Sequence, residues 1–155
     1  MDDAIARYRV ASEANDIDAL METFAPDAEL ISPLSGRMVF RGRDDLRTLL
    51  TAVYGSLRGW KWHEELGDDR HRVVIGEGRV GPFKLGDAMV FELTEDGRIG
   101  RVRPHLRPWL GLTGFALLVA PRLIPHGAVV LRAAGPRLRP RALRADGPIT
   151  RTLLR

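Results

Sequence analysis

The chain has 155 residues, 45% hydrophobic and 28% charged, which lies in the ordinary globular range and suits one domain around one core. It contains no cysteine, which excludes disulfide staples, thiolate metal sites and cysteine nucleophiles and favours an intracellular, cytoplasmic setting. The net charge of +4 is unevenly spread: residues 1–107 carry 16 Lys/Arg against 19 Asp/Glu, a balance of −3, whereas residues 108–155 carry 8 Arg against Asp146 alone, a balance of +7. The basicity belongs to the tail and says nothing about a ligand of the preceding domain.

The start, Met1-Asp2-Asp3-Ala4, is acidic and lacks an apolar core, so a secretory signal is not expected. Ile5, Tyr8, Val10 and Ala11 recur at helical spacing over Ala4 to Glu13. Asp16 is a candidate N-cap for a second helix with Ala19, Leu20, Thr23 and Phe24 on one face. After Pro26, Ala28 to Ser32 alternates as a strand that Pro33 and Ser35-Gly36 break, and Met38-Val39-Phe40 reads as another. A third helix opens near Gly42 and runs through Leu46, Leu49, Leu50, Val53 and Tyr54, with Asp44 and Asp45 complementing its dipole.

Beyond Gly55 the period changes to two. Four strands are expected: Trp60 to Glu65, Arg72 to Val80, Lys84 to Leu93 and Ile99 to Arg107, separated by Gly67-Asp68-Asp69, Gly81-Pro82 and Glu95-Asp96-Gly97. Helices followed by a strand meander describe an α+β domain whose helices cover one face of an antiparallel sheet. In the last strand Gly100, Val102, Pro104 and Leu106 share one face and Arg101, Arg103, His105 and Arg107 the other. The strand before it places Asp87 on one stripe with Met89, Phe91 and Leu93, so a single carboxylate stands on an otherwise apolar face. Gly76 and Gly78, inside a strand, mark a bulge or a sharp bend.

The segments Arg7-Tyr8, Asp16-Ile17-Asp18-Ala19-Leu20 and Phe24-Ala25-Pro26-Asp27-Ala28-Glu29-Leu30 resemble the opening of the nuclear transport factor 2-like superfamily. Gly42-Arg43-Asp44-Asp45-Leu46 resembles its G-R-E-x-I helix start, and Phe91 to Ile99 its penultimate hairpin. The superfamily includes SnoaL-like polyketide cyclases, limonene epoxide hydrolase and ketosteroid isomerase. The resemblance covers about residues 4–107. It implies a cone of curved sheet with three N-terminal helices over its concave face, an inner apolar pocket, and a homodimer. Ketosteroid isomerase uses a tyrosine, an aspartate base and a protonated aspartate. On the resemblance these fall on Tyr8, Ser32 and Met89, and neither a serine hydroxyl nor a thioether replaces a carboxyl. The last-strand aspartate of the epoxide hydrolases falls near Pro104.

Asp87 is therefore the candidate catalytic acid or base, as a desolvated carboxyl; the alternative is a strand-end residue at a pocket mouth, solvated or paired with Arg79. Tyr8 either donates to a ligand oxygen or fills the core. Ser32, Leu50, Tyr54, Trp62, Met89, Phe91, Val102 and Leu106 are the expected contacts of a small apolar ligand, though Trp60 and Trp62 could equally build a dimer interface. His63, His71, His105 and His126 have no ligand spacing, and no Gly-rich loop precedes a lysine, so neither metal nor cofactor is expected. The expected function is binding, with or without cofactor-free acid/base chemistry; the alternative is a non-catalytic dimeric scaffold.

The domain is expected to end near residue 107, followed by an apolar extension over 108–131 and a loose basic tail over 132–155. The run Trp109 to Ala120 is roughly half of the ~20 residues that span a bilayer. It could cap the cone or lie across a partner. Scarce aromatics and Pro136 and Pro140 argue for a solubilising tail over one that binds nucleic acid or membrane.

Overall fold

The computed structural model describes residues 3–135. Asp3 accepts the Ile5 N–H at 2.9 Å and opens α1 (Ala4–Ala14), which Asn15 ends in the left-handed region at φ 55°. Asp16 caps α2 (Ile17–Glu22) through the Ala19 N–H at 3.0 Å, as its sequence position implies. Next come β1 (Phe24–Ile31), β2 (Val39–Arg41), α3 (Arg43–Tyr54), β3 (Leu57–Gly67), β4 (His71–Val80), β5 (Phe83–Leu93), β6 (Ile99–Arg103) and β7 (Leu106–Arg107). The sheet is ordered β2-β1-β6-β5-β4-β3, with β7 also on β5.

Three expectations need correction. The sheet is mixed rather than antiparallel, because β1 and β6 run parallel. Strand β1 starts earlier than the alternation suggests and contains Pro26, which lies where the β1–β6 register shifts between Phe24 and Glu29 and a missing N–H interrupts no ladder. The last strand is split, since Pro104 has no N–H to donate; after the break, Leu106 and Arg107 pair with Asp87 and Gly86.

The glycines of β4 have a steric role. A Cβ on Gly76 would lie 2.5 Å from Trp62 Cε3, and one on Gly78 2.8 Å from Trp60 Cε3. Two indoles from β3 thus lie over β4, 5.3 Å apart and edge to face, where the β3–β4 register slips twice. Trp62 donates from Nε1 to Ser12 Oγ at 2.8 Å, and its backbone N–H reaches Glu13 at 2.8 Å, fastening α1 to β3. At the centre, fully buried Tyr8 meets Phe91 at 5.0 Å, Phe24 at 5.9 Å and Trp62 at 6.2 Å. Outward arginines are absorbed by pairs: Arg41 and Arg101 on Glu29, and Arg101 and Arg103 on Glu92.

The extension caps the cone. Helix α4 (Trp109–Leu123) packs on β5, β4, β7 and α3; a 3-10 turn at Ile124–His126 leads to α5 (Gly127–Ala134), which packs on β2. Arg132 donates to both oxygens of Asp45, at 3.1 Å from Nε, so Asp45 fastens α5 rather than serving the α3 dipole alone. Helical structure continues past Ala120 through Pro121 and Pro125. The run Trp109–Ala134 is 26 residues, long and apolar enough to cross a membrane by length and composition, with 22% of its apolar window buried against the domain.

Candidate functional site

Between the concave face of the sheet, α3 and the α4–α5 cap lies a cavity of about 570 Å³. Small-molecule pockets occupy roughly 300–1,000 Å³. Its wall is almost wholly apolar: Leu30, Phe40 and Met38 from the β1–β2 side, Leu49, Leu50 and Val53 from α3, and Leu85 and Met89 from β5. Phe115, Val119 and Leu123 come from α4. The polar side chains in the lining are Ser32, Tyr54, Trp60 and Asp87.

Asp87 is 3% exposed and forms no ion pair with a lysine or arginine among the described residues; Arg79 instead donates to the Pro82 carbonyl at 2.6 Å. The break in the last strand supplies its partner, because the His105 backbone N–H turns inward and donates to Asp87 Oδ1 at 2.8 Å. That bond, and the nearby His105, favour the carboxylate. Desolvation outweighs both and pushes Asp87 from its ordinary 3.8 up to about 7. The carboxyl is therefore present in both protonation states near neutrality.

Tyr54 sits in the wall with its hydroxyl 2.7 Å from that of Tyr8, which also donates to Met89 S at 3.4 Å. Burial raises both phenols, Tyr8 well above its ordinary value, and the nearby Asp87 charge adds to this, so both remain protonated. Tyr8 itself does not reach the cavity. The phase of α1 drives its ring among Phe24, Phe91 and Trp62 and leaves its hydroxyl behind Tyr54.

Among the expected ligand contacts, Ser32, Leu50, Tyr54, Met89 and Leu106 line the cavity. Ser32 Oγ also accepts the Leu34 N–H at 3.2 Å, as a turn residue does. Trp62, Phe91 and Val102 do not line it: Trp62 points to Ser12 and Tyr8, while Phe91 and Val102 are wholly buried in the packed layer. Trp60 takes the place of Trp62. Its Nε1–H is buried and has no hydrogen-bond partner among the described residues. Sequence alternation put the two indoles on one face and could not separate their roles; the twist of a bulged strand does. The α4–α5 lining was foreshadowed only by the apolar run from Trp109. No cluster of three His, Cys, Asp or Glu suited to a metal occurs among the described residues.

The fold and cavity define an α+β cone-type domain closed by a C-terminal helical cap. The family model described as a SnoaL-like domain matches residues 5–102, and the chain belongs to that family. A protein with a cystatin-like fold from Silicibacter pomeroyi superposes with TM-score 0.79 at 18% identity, covering 86% of this chain and 95% of that one. A steroid delta-isomerase from Pseudomonas aeruginosa gives 0.73 at 24% identity, covering 81% and 92%. A SnoaL-like protein of unknown function from Burkholderia thailandensis gives 0.57 at 20%, covering 67% and 92%. No curated protein matches by sequence.

Proposed function

We propose that the protein binds a small apolar molecule bearing an acceptor oxygen, and that Asp87 exchanges a proton with it. The observation that carries this reading is a carboxyl buried in an apolar cavity and balanced near neutral pH. Such a group gives up and takes back protons with little driving force wasted, as a general acid or base requires. The unpartnered Trp60 N–H supports an acceptor on the ligand, since a buried donor left alone costs about 1–3 kcal/mol. Tyr54, held by Tyr8, shapes the wall opposite. Likeness to a steroid delta-isomerase supports the class of chemistry, although on the resemblance Ser32 and Met89 stand where the isomerase carboxyls would fall, and Asp87 stands two residues from Met89 on the same stripe. Neither metal nor cofactor enters this reading.

A non-catalytic dimeric scaffold would gain nothing from a desolvated carboxyl, which lowers stability at neutral pH; groups of this kind persist where function uses them. We place the work in the cytoplasm, on the absence of cysteine.

The test uses 6-propionyl-2-(dimethylamino)naphthalene, an apolar ketone whose emission shifts blue in a dry site. Binding is expected in the native protein, weakened about tenfold by Trp60→Phe and abolished when Leu50→Trp fills the cavity. In D₂O, deuterium should enter the carbon next to the ketone: Asp87 takes a proton from that carbon, exchanges with solvent and returns a deuteron. Asp87→Asn should stop this without stopping binding. Exchange unchanged in that variant removes Asp87 from the mechanism; no blue shift in the native protein removes the binding reading.

A further inference from the structure

We infer that the outward face of α4 and α5 docks on an anionic lipid bilayer. Large apolar side chains stand in solvent along this segment: Trp109 is 71% exposed, Leu117 69%, Ile124 76% and Leu131 74%, with Leu110 and Leu118 between them. The rest of the described domain shows only Val10, Leu34, Leu66 and Phe83 in that state. The inner side of the same helices is already used. Phe115, Val119, Val129 and Ala133 are buried, and Arg132 ties α5 to Asp45. The segment is thus held flat across the domain, as an interfacial helix is, rather than projecting as a spanning rod.

Charge names the occupant. No Asp or Glu occurs between Asp96 and Asp146, and residues 136–155 carry six Arg against that single acid. A bilayer with anionic headgroups offers an acyl region for the apolar side chains and phosphates for the guanidiniums directly following in the chain. Either signal alone gives marginal binding; the two together hold a protein at the surface. Trp109, at the start of α4, has the amphipathic ring that settles at the headgroup level. A second copy on this face would bring two carboxylate-free cationic segments together, and nucleic acid would leave the apolar face uncovered. The Arg-rich tail needs no helix of its own for this, so Pro136 and Pro140 do not oppose it.

Ile124 and Leu131 belong both to this face and to the cavity lining. If the cavity binds as proposed above, its ligand class is then one dissolved in the membrane, entering without crossing water.

The experiment sediments the full chain with vesicles of phosphatidylcholine alone or of equal parts phosphatidylcholine and phosphatidylglycerol. Binding to the mixed vesicles should be at least about tenfold tighter and should fall at high salt. Trp60 and Trp62 are already buried, so a blue shift on vesicle addition reports Trp109 and should vanish in Trp109→Phe. The double variant Leu110→Glu with Leu117→Glu, both outside the cavity, should lose about tenfold or more in partitioning with an unchanged circular dichroism spectrum. Failure to sediment with either vesicle, equal partitioning of the double variant, or a solution dimer that Leu117→Glu dissociates overturns the inference. The ketone titration without vesicles is read on the same protein. Its failure with vesicle binding intact sinks the functional proposal alone, and the reverse sinks the docking face alone.

Discussion

Replacing Asp87 by Asn removes a buried charge while keeping an oxygen for the His105 N–H, and its effect on stability has a definite pH dependence. Folding raises this carboxyl from 3.8 to about 7, so the folded protein binds the proton more tightly than the unfolded chain. Stability is then fully present below pH 3.8 and is lost as pH rises towards 7. At 1.36 kcal/mol per pH unit, the stability lost through Asp87 relative to acid pH is about 2 kcal/mol at pH 5, where the fold must take up a proton that the unfolded chain has released, and about 4 kcal/mol at pH 8, where the carboxylate is buried. The variant escapes that cost at every pH, although its extra N–H₂ group carries a constant penalty of about 1–3 kcal/mol if unpaired. The difference between the two proteins is therefore the informative quantity. Measured by urea unfolding, the variant should gain about 2–3 kcal/mol on the native protein between pH 5 and pH 8. A difference that stays flat over this range would refute the desolvation argument, because it would mean the carboxyl meets water or a cation in the fold.

Other consequences follow from single contacts. Tyr8→Phe deletes the hydroxyl shared with Tyr54 and Met89 and should lower unfolding free energy by about 1 kcal/mol, with ketone affinity changed less than in Trp60→Phe. Gly76→Ala drives a methyl against Trp62 and the Lys61 carbonyl and should cost about 1–3 kcal/mol by thermal unfolding; a neutral result would show that the indole shifts freely. Arg132→Ala should speed amide hydrogen exchange in α5 and leave β4 and β5 unchanged, since Arg132 bridges the cap to Asp45.

Much of the architecture was legible because it is written in local periodicity. The cap at Asp16, the start of α3 near Gly42, the α3 stripe through Leu46, Leu49 and Leu50, and the alternation that turns Asp87 inward all depend on near neighbours. The site was legible only in part. Alternation reports which face a residue occupies but not how deep it lies, so Phe91 and Val102 were grouped with Met89 although packing seals them off from the cavity. Tyr8, read from the sequence as either a ligand donor or a core residue, takes the second place: its hydroxyl stands behind Tyr54, one layer back from the cavity.

By itself, then, the amino-acid order determined the element sequence, the family resemblance and the single carboxyl on an apolar stripe, because each follows from spacing along one strand or helix. Tertiary structure alone decided that β1 pairs in parallel with β6, that His105 offers its backbone to Asp87, and that Trp60 rather than Trp62 meets the cavity. It also decided that α4 and α5 close the cone while leaving one greasy side bare. These depend on register, strand breaks and desolvation between segments far apart in the chain, and no local pattern encodes such quantities.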